Sequence, residues 1–290
     1  MKRAAIGVAL ATAAALASGC RAGAQADPLP AFTPAADARY EVVASADLKW
    51  EQLNPARGDA SPRAATLWGD RQGNEPTGFL LNPAEGFRSP PHAHNVSYRA
   101  LVLRGQLHND DPQAEDQWLP PGSYWTQPKG GVHVTAAKGG QALAYVEIES
   151  GPYRVIPPEQ AFAAEEAPVN VDAANLVWLE ASSVAWLDPS GRLAAEVAFL
   201  WGRPNSDQLS GALLRLPKGF RGTLSSEAAA RAVVIQGEVQ HRAHGAEGAT
   251  ALDLGSGFRS EGRAAHGLSS AQGCVIYLRA RGMFSLRSAL

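Results

Sequence analysis

The chain has 290 residues, 45% hydrophobic and 19% charged, which is enough apolar material for a packed core and excludes a disordered chain. Its 26 basic and 28 acidic residues leave a formal charge of −2, with the basic residues scattered, so there is no nucleic-acid footprint. Two cysteines support neither a disulfide framework nor a four-cysteine zinc site, and 29 glycines with 20 prolines favour turns over long helices.

The N-terminus reads as an export signal over residues 1–26. Lys2-Arg3 is a basic start, Ala4 to Ala17 is an apolar run too short to span a bilayer, and Ala24-Gln25-Ala26 is an A-x-A cleavage site. A competing cut before Cys20, in Ala17-Ser18-Gly19-Cys20, resembles a lipoprotein signal and would anchor the chain by lipid. Either cut places the protein in the periplasm or cell envelope. Cleavage after Ala26 leaves Cys274 as the lone cysteine, so no intrachain disulfide forms.

Beyond the signal the chain repeats itself. LWGD at Leu67 to Asp70 recurs as LWGR at Leu200 to Arg203, and GFLLNPAEGFR (Gly78 to Arg88) as GALLRLPKGFR (Gly211 to Arg221), both at an offset of 133. RALVLRGQL from Arg99 matches RAVVIQGEV from Arg231 at 132, and Gly122-Ser123 matches Gly255-Ser256 at 133. Four blocks in one order make two copies of one unit, with one deletion in the second. The predicted organisation is a first unit over 27–158, a proline- and acid-rich linker over 159–172, and a second unit over 173–290. Segments such as YRALVLRG, ALAYVEIES and CVIYLRARG alternate or run apolar for five to eight residues, as strands do. Two all-β barrels or sandwiches follow. Ala161–Ala167 and Ser226–Ala232 are the two short stretches with helical composition.

The first unit carries the chemistry. His92 and His94 form an H-x-H pair, and residues two apart on a strand share a face. His133 follows the turns at Pro120-Pro121-Gly122 and Pro128-Lys129-Gly130-Gly131. Three imidazoles suit a divalent transition metal (Fe, Zn, Mn, Ni or Cu), and three ligands leave positions open, as in working sites. His108 lies near a strand end and reads as a turn residue; Trp118, Tyr124 and Trp125 read as packing, with one of them free to line a pocket. No G-x-S-x-G elbow, Walker loop or dinucleotide fingerprint occurs.

The segment from Gly86 to Gly105 resembles the first motif of the cupin superfamily on Gly86, His92, His94, Tyr98 and Gly105. Gly122, Pro128, Gly130 and His133 resemble the second. Two positions depart: Tyr98 stands where cupins commonly carry a glutamate ligand, and Ala137 where the motif usually ends in asparagine. The repeat, the export signal and the LWGD, HNDDP and PPGSYWTQP segments look like a bacterial family of exported tandem cupins, domain of unknown function 4437. The resemblance implies two jelly-roll units packed as a pseudo-dimer, a monomer or homodimer in solution, and a metal at His92, His94 and His133 acting on a small molecule. Tyr98 is then either a weak ligand, acid or hydrogen-bond donor, or a cavity-wall aromatic. Cupins with three-histidine sites include dioxygenases of diketones and thiols, which makes a dioxygenase-type reaction one expectation and a non-catalytic binding or sensing role the other.

The second copy loses the ligands. The H-x-H positions fall on Ser225 and Glu227 or on Leu224 and Ser226, according to where the deletion sits, and His266 alone aligns with His133. His266 reads as a mouth or surface histidine, and His241 and His244 as solvated loop residues.

Overall fold

Short apolar segments closed by glycine and proline form antiparallel strands throughout the computed structural model, which describes residues 32–163, 165–189 and 193–289. The segment read as an export signal, residues 1–26 with Cys20, lies outside the described residues. Among them the helical pieces are short 3-10 turns, and no helix is long and apolar enough to cross a membrane. The two alanine-rich stretches form no helix among the described residues. Ser226 ends one strand and Ala230 opens the next, because sheet pairing outweighs the modest helix propensity of alanine.

Two seven-stranded sheets dominate. The first runs in the order Val169–Val171, Tyr124–Gln127, Tyr98–Asp110, Val134–Ile148, Thr77–Asn82, Arg63–Trp68, Glu51–Gln52. The second runs Arg39–Val43, Gly257–Glu261, Ala230–Gly237, Cys274–Arg281, Leu209–Leu216, Glu196–Gly202, Leu179–Glu180. A five-stranded sheet faces the second, and the pair Ala93–His94 with Val155–Ile156 faces the first. These are the two cupin-type jelly rolls expected, with one difference: the sheets stay open and do not close into barrels.

The units exchange edge strands. Arg39–Val43, at the start of the first unit, pairs with Gly257–Glu261 of the second, and Val169–Val171 pairs with Tyr124–Gln127 of the first. Thus part of the segment read as a linker is a sheet strand. The exchange is two-fold in pattern: the Ser256 hydroxyl accepts from the amide of Ser45, and the Ser123 hydroxyl from that of Ala173. Each unit buries its own core, and a third cluster (Leu67, Leu80, Leu101 and Tyr145 against Leu213, Val233, Ile235 and Tyr277) joins them. Pairing the edges hides backbone donors that would otherwise invite other chains, and packs the halves as a pseudo-dimer.

Candidate metal centre

His92 and His94 sit at the edge of the small two-stranded sheet. His92 and His133 exchange backbone hydrogen bonds of 3.0 and 2.9 Å, and the His94 carbonyl accepts from the amide of Gly130 at 2.8 Å. Gly130 has φ +80° and a Cβ there would lie 2.5 Å from the Phe162 carbonyl oxygen, so the Pro-Lys-Gly-Gly turn admits only glycine at this place. These contacts bring the two motifs together. One nitrogen from each of the three rings lies within 4.8 Å of the others, and the ring centroids are 4.3 to 5.2 Å apart.

The tautomers follow from the partners. A carbonyl oxygen only accepts, so Nδ1 carries the proton where it meets one: His92 donates to Pro90 (2.9 Å), His94 to Arg154 (3.0 Å) and His133 to Gly131 (3.2 Å). Every Nε2 is thereby left with a lone pair, oriented as metal-binding histidines are. Burial pushes the ring of His133 down to about 3 and that of His94 well below the ordinary range, with the neighbouring histidines adding to the effect; His92, more open, is lowered less, again mainly by burial. The rings are neutral at physiological pH, the form that binds metal. The donor set therefore fits a divalent transition ion.

His92 and His94 line a cavity of about 300 Å³ with mostly apolar walls, among them Leu53, Leu81, Phe87, Trp125, Val146 and Ile156. Among the described residues no carboxylate lines it, and Arg57 is its one formally charged side chain. The Tyr98 hydroxyl donates to Asn109 Oδ1 at 2.8 Å, leaving a 3.5 Å separation from His133 Nε2. Thr135 also donates to Asn109 Oδ1, and Asn109 donates to Gln127, so Tyr98 is held in a closed polar network. Burial drives its phenol far above the ordinary range.

Tyr153 and Asn95 escaped sequence reasoning. The Tyr153 ring stacks on His94 at 4.4 Å, and its hydroxyl donates to His94 Nε2 at 3.1 Å. Asn95 holds the segment in place, donating to the Pro152 carbonyl and accepting from the Arg154 amide, each at 2.9 Å. The available signal was Asn95 itself, next to the H-x-H pair, but its partners lie almost sixty residues away.

Several expectations change. His108 lies in a strand, fully buried, and accepts from the Gln117 amide at 3.2 Å, so it is no turn residue. Trp125 lines the cavity, while Tyr124 is buried between the units. In the second unit Leu224 pairs with His266 as His92 does with His133, so Leu224 and Ser226 replace His92 and His94. His266 is neither a mouth nor a surface residue: it is buried with His241, its Nδ1 2.9 Å from His241 Nε2, and its Nε2 bonds Ser260 at 3.0 Å. His241 is likewise buried, stacked on Phe258, and only His244 is exposed.

A family model described as "Domain of unknown function (DUF4437)" matches residues 41–287. The chain belongs to that family. No curated protein matches the DUF4437 chain significantly. Among solved structures it is similar to a proposed dioxygenase from Nostoc punctiforme, at 14% identity and a TM-score of 0.63 over 84% of this chain and 83% of that one. It is also similar to the Escherichia coli protein Ylba (10%, 0.56, 83% and 90%) and to an oxalate decarboxylase variant from Bacillus subtilis (9%, 0.53, 92% and 81%). At these identities the likeness shows the cupin fold of the DUF4437 chain and no reaction.

Proposed function

We propose that this protein binds a divalent transition metal through Nε2 of His92, His94 and His133 and acts with it on a small molecule in the adjoining cavity, in a dioxygenase-type or related metal-dependent reaction. The observation that carries the reading is the arrangement of the three rings: each Nδ1 meets a backbone carbonyl, which leaves each Nε2 unprotonated, and one nitrogen of each ring lies within 4.8 Å of the others beside an apolar cavity. A metal held there supplies Lewis acidity towards an oxygen donor, or redox chemistry if it is iron. The chain itself contributes neutral ligands, mostly apolar walls, and phenols at Tyr98 and Tyr153 that are held protonated by burial. The similarity to a proposed dioxygenase and to oxalate decarboxylase supports a metal-dependent role by analogy. The reading extends to an exported protein of the periplasm or envelope, soluble or lipid-anchored at Cys20, and to a monomer or homodimer.

The test is elemental analysis of protein recovered from the periplasm, with His92→Ala and His94→Ala beside the wild type. Near-stoichiometric metal in the wild type and none in the variants is expected; no metal in the wild type, or equal uptake in all three, overturns the reading. If iron is bound, oxygen consumption with small diketones, thiols and phenols separates an enzyme from a non-catalytic binding or sensing protein, for which silence across the panel would speak. Mass spectrometry of the mature N-terminus decides between Asp27 and a lipidated Cys20.

A further inference from the structure

Arg57 is the charged group of the cavity, and its surroundings give it nothing to neutralise. It sits in the 3-10 segment Pro55–Ala60, half-buried, lining the same cavity as His92 and His94. Three arginines of this unit have carboxylate partners, Arg71 with Glu51, Arg88 with Asp116 and Arg99 with Glu149, while Arg63 and Arg104 donate to the backbone carbonyls of Trp50 and Gln141. Among the described residues Arg57 has no such pair, only the face of Phe87, whose ring centre lies 5.6 Å from the guanidinium carbon. Asn54, beside it, turns its side-chain oxygen to the Ala56 amide, capping the segment that presents Arg57. A guanidinium in an apolar wall with its fork of donors unengaged matches a planar oxyanion. A divalent ion held by neutral imidazoles would add further positive charge with no carboxylate in the cavity lining to offset it.

We propose that Arg57 is the specificity-determining residue of this site and that the cavity takes a small monocarboxylate, its carboxylate on Arg57 and its apolar body along Phe87, Leu81 and Val146. The proposal deepens the metal-site reading but does not need the metal for recognition. At about 300 Å³ the cavity lies at the small end of ligand sites, which limits the body to a short chain or one ring.

Calorimetric titration of the mature protein, metal-free and metal-loaded, with phenylacetate, 3-phenylpropanoate and octanoate, each against its neutral amide, tests this. The acid that fits best is expected to bind metal-free wild type at least about tenfold more tightly than its amide. Arg57→Gln removes that preference and Arg57→Lys keeps part of it. Circular dichroism checks that the variants fold. Equal affinity for acid and amide, unchanged binding by Arg57→Gln, failure of all three acids to bind, or acid binding that requires metal but not Arg57, overturns the proposal. A wild type that takes up no metal yet still selects the acid through Arg57 sinks the metal reading alone.

Discussion

Glu147 in the first repeat and Arg279 in the second occupy corresponding positions, yet the fold turns them towards each other, with Arg279 Nη1 3.7 Å from Glu147 Oε1. Tyr145 and Tyr277, also corresponding residues, both donate to the Glu147 carboxylate, at 3.0 and 2.7 Å. Arg279 grips Glu149 as well, through a fork of 2.9 and 2.8 Å. Two glutamates at these matched positions would repel, whereas the glutamate and arginine present here attract.

Breaking this pair should be costly. Burial pushes the Glu147 carboxyl up, opposed first by Arg279. Arg279→Met strands the carboxylate and is expected to lower the unfolding free energy by about 3–5 kcal/mol. The double variant Glu147→Gln with Arg279→Met should recover part of it, by about 1–3 kcal/mol. Urea denaturation measures both, and a loss below 1 kcal/mol for Arg279→Met would sink the idea.

Trp68 and Trp201 form a second matched pair, donating to Tyr145 (3.2 Å) and Tyr277 (2.9 Å) over the bare backbones of Gly78 and Gly211. A Cβ on either glycine would meet the indole nitrogen at 2.2 or 2.0 Å. Gly78→Ala and Gly211→Ala are each expected to displace a tryptophan and destabilise by about 1–3 kcal/mol. Tryptophan fluorescence and thermal melting report it; wild-type spectra and melting would contradict it.

Acid should unfold the metal-free protein. Burial lowers His133 and His266 to about 3 and His241 to about 4, against roughly 6.5 in an unfolded chain. Below 6.5 the unfolded state binds protons that the folded state refuses. Stability is therefore complete above that pH and falls as pH drops towards 3–4, by up to about 1.4 kcal/mol per pH unit for each histidine. Melting temperatures at pH 7.5, 6 and 4.5 should fall steadily, and a flat profile would refute the account.

Tyr153 competes with a metal for the His94 lone pair. Tyr153→Phe removes that hydrogen bond, so divalent-metal affinity should rise by roughly 3- to 10-fold. Tyr98→Phe, whose hydroxyl serves Asn109, should leave metal affinity within threefold and cost about 1 kcal/mol of stability. Competition with a chromogenic chelator reads the affinities; weaker metal binding by Tyr153→Phe would place its hydroxyl in support of the ion.

A metal at 100 times its dissociation constant should stabilise the wild type by about 2.7 kcal/mol and His94→Ala hardly at all. Equal thermal shifts in both proteins would locate the ion elsewhere.

Much of this molecule is local information, and local information is legible in a sequence. The two copies, the strand-rich composition and the three histidines follow from spacing and turn chemistry alone: residues two apart on a strand share a face, and glycine marks the turn that returns His133 to His92. Tertiary structure decided what depends on distant partners. It chose Leu224 and Ser226 over the one-residue slip, because cross-strand register against His266 cannot be read from one strand. It buried His108, His241 and His266, polar residues whose exposure a single strand leaves undetermined because their partners lie on other strands. It brought Tyr153 onto His94 through Asn95, set Arg57 in the cavity wall, and exchanged edge strands between the units. In each case the deciding contact joins residues far apart in the chain, and the free energy that selects it exists only once both sides are folded.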